Sequence, residues 1–174
     1  MTSIIVATDG SSSGENAVQV AADIAKSRGA EVLILSVLDD KALPESIRTM
    51  ARAEHLVDQK RLADESHIAN IPTWMMKDLH GAAQADEDAA LHQIVAELAV
   101  KRAQEILKKA GVTSLSEEIG SGDVADAIID AAERHGADMI VMGSRGFGSL
   151  KSLVYGSTSR DVAKRAKCSC VSVT

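Results

Sequence analysis

The segment Ser3-Ile-Ile-Val-Ala-Thr-Asp-Gly-Ser-Ser-Ser-Gly-Glu15 contains the signal that decides the fold. Its first five residues, 3–7, form a short apolar run typical of a buried strand, and Thr8-Asp9-Gly10 ends that run. Ser12 and Glu15 then have the spacing of a capping box, which marks the start of a helix. A strand that leads into a helix through a tight loop is the repeating unit of an α/β fold.

The same alternation continues along the chain. The first helix ends at Arg28-Gly29, a basic last turn followed by a glycine suited to a left-handed cap. The joint Arg28-Gly29-Ala30-Glu31 recurs as His135-Gly136-Ala137-Asp138, each time directly before an apolar run. The pattern predicts an open, five-stranded parallel sheet with helices on both faces. We expect strands near 3–7, 31–37, 115–119, 138–142 and 169–173, and helices near 12–28, 87–110, 123–135 and 157–166.

The composition agrees with one globular domain. Of the 174 residues, 45% are hydrophobic and only 2% aromatic, so the core must consist of Ala, Val, Ile and Leu. The net charge of −6 disfavours nucleic acid or an anionic membrane as the main partner. The chain has no basic leader and no run of about 18 apolar residues, so we expect a cytoplasmic protein without a membrane span. Cys168 and Cys170 lie two residues apart in a predicted strand, which predicts free thiols.

The stretch 39–86 is far longer than the connection of about 2–6 residues that is usual in such folds. It predicts a helical insertion after the second strand, within a single domain that spans 1–174, and Pro44 can begin one of its helices. The histidines of this region are not paired at three- or four-residue spacing, so they predict no zinc site. These histidines are His55, His67, His80 and His92.

Two loops rich in glycine and hydroxyl groups follow the first and the fourth strand. They are Thr8-Asp9-Gly10-Ser11-Ser12 and Gly143-Ser-Arg-Gly-Phe-Gly-Ser149, and Gly156-Ser-Thr-Ser159 then opens the last helix. Ligands of open α/β sheets bind at the carboxyl ends of the strands, where the strand order reverses. Glycines let the backbone approach a phosphate, and the amides of a helix N-terminus bind the anion. Thr158 and Asp161 fit a second capping box. The residues predict a phosphate-binding site, with a simple tight turn as the alternative.

The spacing Gly143-x2-Gly146-x9-Gly156-Ser157 resembles the nucleotide-binding signature of the universal stress protein family. The opening Ile-Ile-Val-Ala-Thr-Asp-Gly-Ser and the closing Cys-Ser-Cys-Val-Ser-Val are similar to the same family. The resemblance covers 1–38 and about 88–174, and the long stretch 39–86 departs from it. It implies a Rossmann-like, cytoplasmic, stress-related regulatory protein that binds ATP with Mg²⁺ or Mn²⁺ and commonly forms a homodimer.

The resemblance also implies the residues of the site. Asp9 would contact the nucleotide or place a divalent ion, and its alternative is an Asp that closes a turn. Arg145 would lie beside the phosphates, and its alternative is a solvated loop arginine. The adenosine would be bound by Ala7, Thr8, Asp9, Val37, Met142 and Gly143, and the phosphates by Gly146, Gly156, Ser157, Thr158 and Ser159.

Other motifs in the chain fit less well. Gly10-Ser-Ser-Ser-Gly14 has the letters of a nucleophile elbow, but His135 is predicted at the opposite edge of the sheet. Gly120-Ser-Gly-Asp-Val-Ala125 has the letters of a dinucleotide fingerprint, but no acidic residue ends the next strand. No P-loop lysine is present. Because no general base is evident near a γ-phosphate, we expect a protein that is not an enzyme and hydrolyses ATP slowly at most.

A second hypothesis is an interaction protein of the same fold that works without nucleotide, through its insertion and its dimer surface. The retained Gly146 and Gly156 argue against it, because a lost site would be free to lose glycines. An enzyme acting on an adenylated substrate would need a catalytic residue that the sequence does not show. The last segment, Cys170-Val-Ser-Val-Thr174, predicts an edge strand through which a homodimer could form. A further protein partner stays unidentified.

Overall fold

A computed structural model describes residues 2–39, 49, 79–146 and 156–174. The strands in these ranges are β1 (Ser3–Ala7), β2 (Glu31–Leu38), β3 (Leu115–Ser121), β4 (Met139–Gly143) and β5 (Ser169–Val173). The helices are α1 (Ser12–Arg28), α2 (Leu79–Ala110), α3 (Val124–Arg134) and α4 (Ser157–Arg165). Within the described residues the five strands form one sheet, paired in parallel throughout, so the predicted α/β fold is confirmed.

The strand order β3-β2-β1-β4-β5 puts β1 at the centre of the sheet. The chain adds β2 and β3 on one side of β1 and then returns to add β4 and β5 on the other. Ala7, the last residue of β1, pairs with Leu35 of β2 and with Met142 of β4. The order therefore reverses between β1 and β4, and the loops that leave these two strands lie side by side.

Two layers of helices cover the sheet, one on each face. Ile4 and Val6 of β1 belong to a core that also contains buried residues of α1 and α2. Ile5 and Ala7 belong to a second core, which contains buried residues of α3 and α4. Because successive strand residues point to opposite faces, a strand buried on both sides is apolar at every position. This explains the uninterrupted apolar run of β1.

Local signals place most element boundaries within two residues of the prediction. Helix α1 spans the predicted residues and ends at Gly29, whose φ of 59° lies in the left-handed region and whose N–H donates to Ala25. Strand β2 continues to Leu38 because the Gly122 N–H donates to the Leu38 carbonyl at 3.1 Å. Helix α2 differs most, since it begins at Leu79 and the prediction was near 87.

The chain divides into two compact units, Met1–Asp40 with Val95–Thr174, and Lys41–Ile94. The first unit contains the sheet. The second unit overlaps most of the predicted insertion at 39–86. Most of the insertion, including the predicted helix at Pro44, lies outside the described residues. The insertion and the assignment of 1–174 to one domain stay predictions. None of the described helices has the length and apolar character needed to cross a membrane.

Both cysteines are free thiols, as predicted. Cys168 and Cys170 are half-buried and pack against the core that α3 and α4 share with the sheet. Burial raises the pKa of both thiols above the usual value, which favours the protonated thiol at neutral pH.

Candidate functional site

The loop after β1 is ordered by the Asp9 carboxylate. Asp9 Oδ1 accepts hydrogen bonds from the Ser11 N–H at 3.0 Å and from the Ser11 hydroxyl at 2.6 Å. Ser11 Oγ in turn accepts from the Gly14 N–H at 3.2 Å and is the N-cap of α1. The predicted capping box of Ser12 and Glu15 is therefore wrong by one residue. Ser11 and not Ser12 caps the helix, because the Asp9 carboxylate binds the N–H and the hydroxyl of Ser11. Asp9 closes a turn here, as its alternative interpretation expected.

The end of β4 packs directly on the first turn of α1. A Cβ atom on Gly143 would lie 2.9 Å from Ser13 Oγ and 3.0 Å from the Gly14 nitrogen. A Cβ on Gly14 would lie 2.9 Å from both Asp9 Oδ1 and Thr8 Oγ1. Glycine is required at position 143, because two of the near atoms belong to the backbone of α1, whereas a side chain at position 14 would displace the side chains of Asp9 and Thr8.

Gly146 and Gly156 have the same kind of environment. A Cβ on Gly146 would lie 2.7 Å from Asp9 Oδ2, and one on Gly156 would lie 2.9 Å from the Ser144 carbonyl oxygen. Gly143 and Gly156 are therefore needed for backbone contacts within the protein, whereas a side chain at position 146 would displace the Asp9 carboxylate. The argument that a lost nucleotide site would be free to lose its glycines is wrong for Gly156, because protein packing alone demands that glycine, and for Gly146 it stays a prediction.

Serine hydroxyls hold the first two carbonyls after β4. The Ser144 carbonyl accepts from the Gly156 N–H at 2.6 Å and from Ser159 Oγ at 3.2 Å. The Arg145 carbonyl accepts from Ser13 Oγ. Ser13 and Ser159 are both buried, with exposed fractions of 9% and 3%. The loop is thus fixed from α1 on one side and from α4 on the other.

Within the described residues, the N-terminus of α4 is open. Its N-cap is Gly156, which makes no side-chain capping bond, and no acidic residue lies in its first turn. The predicted capping box of Thr158 and Asp161 is wrong, because both residues lie inside the helix. Ser157 is exposed and Thr158 is half-exposed. The described residues therefore leave the amides of this first turn available to an anion, and the helix dipole favours negative charge there.

The N-terminus of α3 provides a contrast. Asp123 is its N-cap, and Oδ1 accepts from the N–H groups of Ala125 and Asp126 at 3.0 and 3.1 Å. These are the amides that a dinucleotide phosphate would need, so the geometry agrees with rejecting Gly120-Ser-Gly-Asp-Val-Ala125 as a fingerprint. His135 lies at the other end of α3 and pairs with Glu118 at 3.1 Å. Among the described residues, no histidine therefore lies beside Gly10-Ser-Ser-Ser-Gly14 to act as the base of a nucleophile elbow.

Val37 presents its backbone groups beyond the end of β1. In a parallel sheet the two backbone groups of a residue point to the same neighbouring strand, and successive residues alternate between neighbours. The Leu35 carbonyl accepts from the Thr8 N–H at 3.0 Å, so Leu35 faces β1. Val37 faces the same side, two residues after the last β2 residue that pairs with β1. One donor and one acceptor thus lie in the gap above β1.

The structure brings most of the predicted residues together. Asp9 contacts Gly146 and Ser11, while Arg145 is tied to Ser13 and, through Ser144, to the start of α4. No carboxylate in the described part of the chain pairs with the Arg145 guanidinium. The side chains of Ala7 and Met142 are core residues and do not face this edge freely. The predicted residues at the carboxyl edge are Thr8, Asp9, Val37, Gly143, Arg145, Gly146, Gly156, Ser157, Thr158 and Ser159.

Three residues of this region were missed by the sequence analysis: Ser13, Gly14 and Ser144. Gly14 had a detectable signal, because a glycine in the first turn of a helix is unfavourable unless a neighbour approaches closely. Ser144 is fully buried, and its hydroxyl has no hydrogen-bond partner in the described ranges. Nothing in the local sequence distinguishes Ser13 from the other serines of the loop.

Comparisons with known proteins agree with this geometry. The model of the universal stress protein family matches residues 1–174. Stress response protein NhaX of Bacillus subtilis is 27% identical over 166 residues, which cover 94% of this chain and 92% of that protein. Universal stress protein UspA from Lactobacillus plantarum matches with a TM-score of 0.69 at 24% identity, over 99% of this chain and 97% of that structure.

Two further similar structures are complexes with a nucleotide. One is a universal stress protein in complex with cAMP, with a TM-score of 0.62 at 22% identity and coverages of 99% and 97%. The other is the universal stress protein from Archaeoglobus fulgidus in complex with dAMP, with a TM-score of 0.60 at 20% identity and coverages of 100% and 98%. At these identities the structural likeness establishes the fold. Together with the family match over its whole length, it shows that this chain belongs to the universal stress protein family.

Proposed function

We propose that this protein binds an adenine nucleotide, ATP in the first instance, at the carboxyl edge of β1 and β4 and acts in the cytoplasm as a stress-related regulator. The observation that carries the proposal is the open N-terminus of α4 next to Arg145. Helix amides and an arginine without a carboxylate partner among the described residues form a site for phosphate groups. The dipole of α4 adds to the attraction.

The base end of the site has a matching feature. Val37 offers an N–H and a C=O side by side in the gap above β1. Adenine carries an amino donor next to a ring acceptor, so one strand residue can satisfy both. The cAMP and dAMP of the two family structures are adenine nucleotides, which supports this choice of base.

A divalent ion would be bound mainly through the nucleotide. In the described residues no cluster of three or more metal-ligating side chains exists. Mg²⁺ is typically held by phosphate oxygens with one or two carboxylates, and Asp9 is the carboxylate that the loop supplies. Mg²⁺ or Mn²⁺ would thus join the site together with ATP.

We propose that the site does not hydrolyse ATP efficiently, since its described residues lack the parts of a hydrolase. Asp9, the acidic residue of the loop, already accepts two hydrogen bonds from Ser11. No histidine of the described ranges lies in the loops that leave β1 and β4. Because the described residues of these loops offer a water molecule no general base, we propose a binding and regulatory role in place of a catalytic one.

Titration calorimetry with ATP and Mg²⁺, AMP, adenosine and GTP tests the proposal. We expect micromolar binding of ATP, weaker binding of GTP, and a loss of affinity for ATP but not for adenosine in Arg145→Gln. Asp9→Ala should lose both ligands, because the loop after β1 depends on its carboxylate. Failure of the wild-type protein to bind any of these ligands would contradict the proposal and assign the function to the surfaces of the protein.

We also propose a homodimer through β5. The opposite edge strand, β3, carries Glu117 and Glu118, which discourage pairing with another strand. Strand β5 has no charged residue between Ser169 and Val173. The Val173 carbonyl accepts from the Ser144 N–H, so Val173 faces β4 and the N–H of Ser172 faces outward. This free edge can pair with the same edge of a second copy.

The substitution Ser172→Pro tests this interface. Ser172→Pro removes an outward N–H without touching the bonds between β4 and β5, and Ser172→Ala keeps it. We expect sedimentation to give a dimer for the wild-type protein and Ser172→Ala, and a monomer for Ser172→Pro. A wild-type monomer, or an unchanged dimer in the proline variant, would contradict an interface at this edge.

A further inference from the structure

Two buried serines hold the backbone of the loop that follows β4. Ser13 Oγ donates to the Arg145 carbonyl, a contact between residues 132 positions apart in the chain. Ser159 Oγ donates to the Ser144 carbonyl at 3.2 Å and also lies 3.2 Å from the Gly156 carbonyl. We call Ser13 and Ser159 the serine clamp. Both hydroxyls are engaged with protein carbonyls and buried, so neither is presented to a ligand as the structure stands.

The clamp determines which way two peptide groups point. In a trans peptide the carbonyl and the following N–H point in opposite directions, and none of the described peptide bonds is cis. When the Ser144 and Arg145 carbonyls are tied to the serines, the N–H groups of Arg145 and Gly146 point away from them. A carbonyl turned toward a phosphate would repel it, whereas an N–H attracts it.

We propose that Ser13 and Ser159 are positioning residues that keep the peptide groups of residues 144–146 in the orientation that accepts a phosphate. They act through the loop backbone and touch neither the base nor the ribose. The inference rests on the proposed nucleotide function and adds to it the residues that distinguish a phosphorylated ligand from a bare nucleoside.

The serine clamp makes a prediction that a merely stabilising role does not make. Loss of the Ser13 hydroxyl frees the Arg145 carbonyl to turn toward the phosphates and leaves Val37 and the base end unchanged. Loss of the Ser159 hydroxyl has a smaller effect, because the Ser144 carbonyl still accepts from the Gly156 N–H at 2.6 Å. We therefore expect Ser13→Ala to raise the dissociation constant for ATP about tenfold and to leave that for adenosine within about twofold of wild type, from the value of one hydrogen bond. A serine that only supports the fold would change both constants by the same factor.

Titration calorimetry of Ser13→Ala, Ser159→Ala and Ser12→Ala with ATP and adenosine tests the inference. Ser12 is the matched control, since it is the exposed neighbour of Ser13 on α1. The expected result is a reduced preference for ATP over adenosine in Ser13→Ala, a smaller reduction in Ser159→Ala, where the Gly156 N–H still holds the Ser144 carbonyl, and a wild-type preference in the control. If one clamp variant fails to fold, the other decides.

Equal changes for ATP and adenosine, or no change for either, would overturn the inference while the proposed function stands. A wild-type protein that binds neither ligand would overturn the proposed function, and the inference with it.

Discussion

Replacing Gly143 by alanine should destabilise the protein even when no nucleotide is present. The new methyl group would lie 2.9 Å from Ser13 Oγ and 3.0 Å from both the Gly14 nitrogen and the Ser13 carbonyl carbon. Two of these three atoms belong to the backbone of α1, which cannot rotate away as a flexible side chain does. Forcing an extra carbon into such a contact costs about 1–3 kcal/mol.

Gly120 is the matched control for this prediction. It is also a strand glycine, but a Cβ at its position would lie 3.6–3.8 Å from Ala127, Val37 and Leu35, which is ordinary contact. Alanine at such a position stabilises a protein by about 0.4–1 kcal/mol, because the unfolded chain loses freedom. The two Gly→Ala variants are therefore expected to change stability in opposite directions.

Urea denaturation of the nucleotide-free protein measures both effects. At unchanged m, we expect a lower midpoint for Gly143→Ala and an equal or higher one for Gly120→Ala. For a chain of this size the loss should lower the melting temperature by about 2–4 °C per kcal/mol. If Gly143→Ala is as stable as the wild type, the packing argument is refuted, and the glycine would be explained by the approach of a ligand.

Three further predictions concern other parts of the sheet edge. Asp123→Ala removes the cap of α3 and should lower the unfolding free energy by about 1 kcal/mol in urea, while Asp123→Asn should retain most of it. Ser144→Ala replaces a buried hydroxyl that has no partner in the described ranges, so calorimetry should show unchanged or slightly higher stability and not a loss. The hydrogen bond from Arg134 lowers the pKa of Glu118 below its usual 4.5, so this pair stabilises the fold above that pH and the effect disappears as the pH falls through the lowered pKa. Glu118→Gln should therefore be less stable than wild type at pH 7 and equal to it in acid, and a constant difference across the pH range would contradict this origin.

The fold follows from signals that are local in the chain. Helix α1 was predicted with its observed limits because serines precede it and Gly29 ends it in a left-handed conformation. The apolar run of β1 indicated burial on both faces, and the sheet order confirms this. The start of α2 was missed because it lies within the stretch 39–86, all of which was assigned to the predicted insertion.

The site was predictable to a lesser degree. The glycine spacing could be recognised as a phosphate-binding pattern, because it is a property of short segments. The uncapped start of α4 could not, since the sequence predicted a capping box of Thr158 and Asp161 there. The choice of Ser11 as the N-cap could not, since Ser11, Ser12 and Ser13 are equivalent by sequence and the Asp9 carboxylate makes the choice.

The sequence by itself determined the order of strands and helices, the edge of the sheet at which the site lies, and the positions that must be glycine. Only the tertiary structure decided why they must be glycine and which hydroxyls face the loop backbone. The physical reason is distance along the chain. Gly143 meets Ser13, Gly146 meets Asp9, and Ser13 binds the Arg145 carbonyl 132 residues away, and such contacts exist only after the sheet has brought β1 and β4 together.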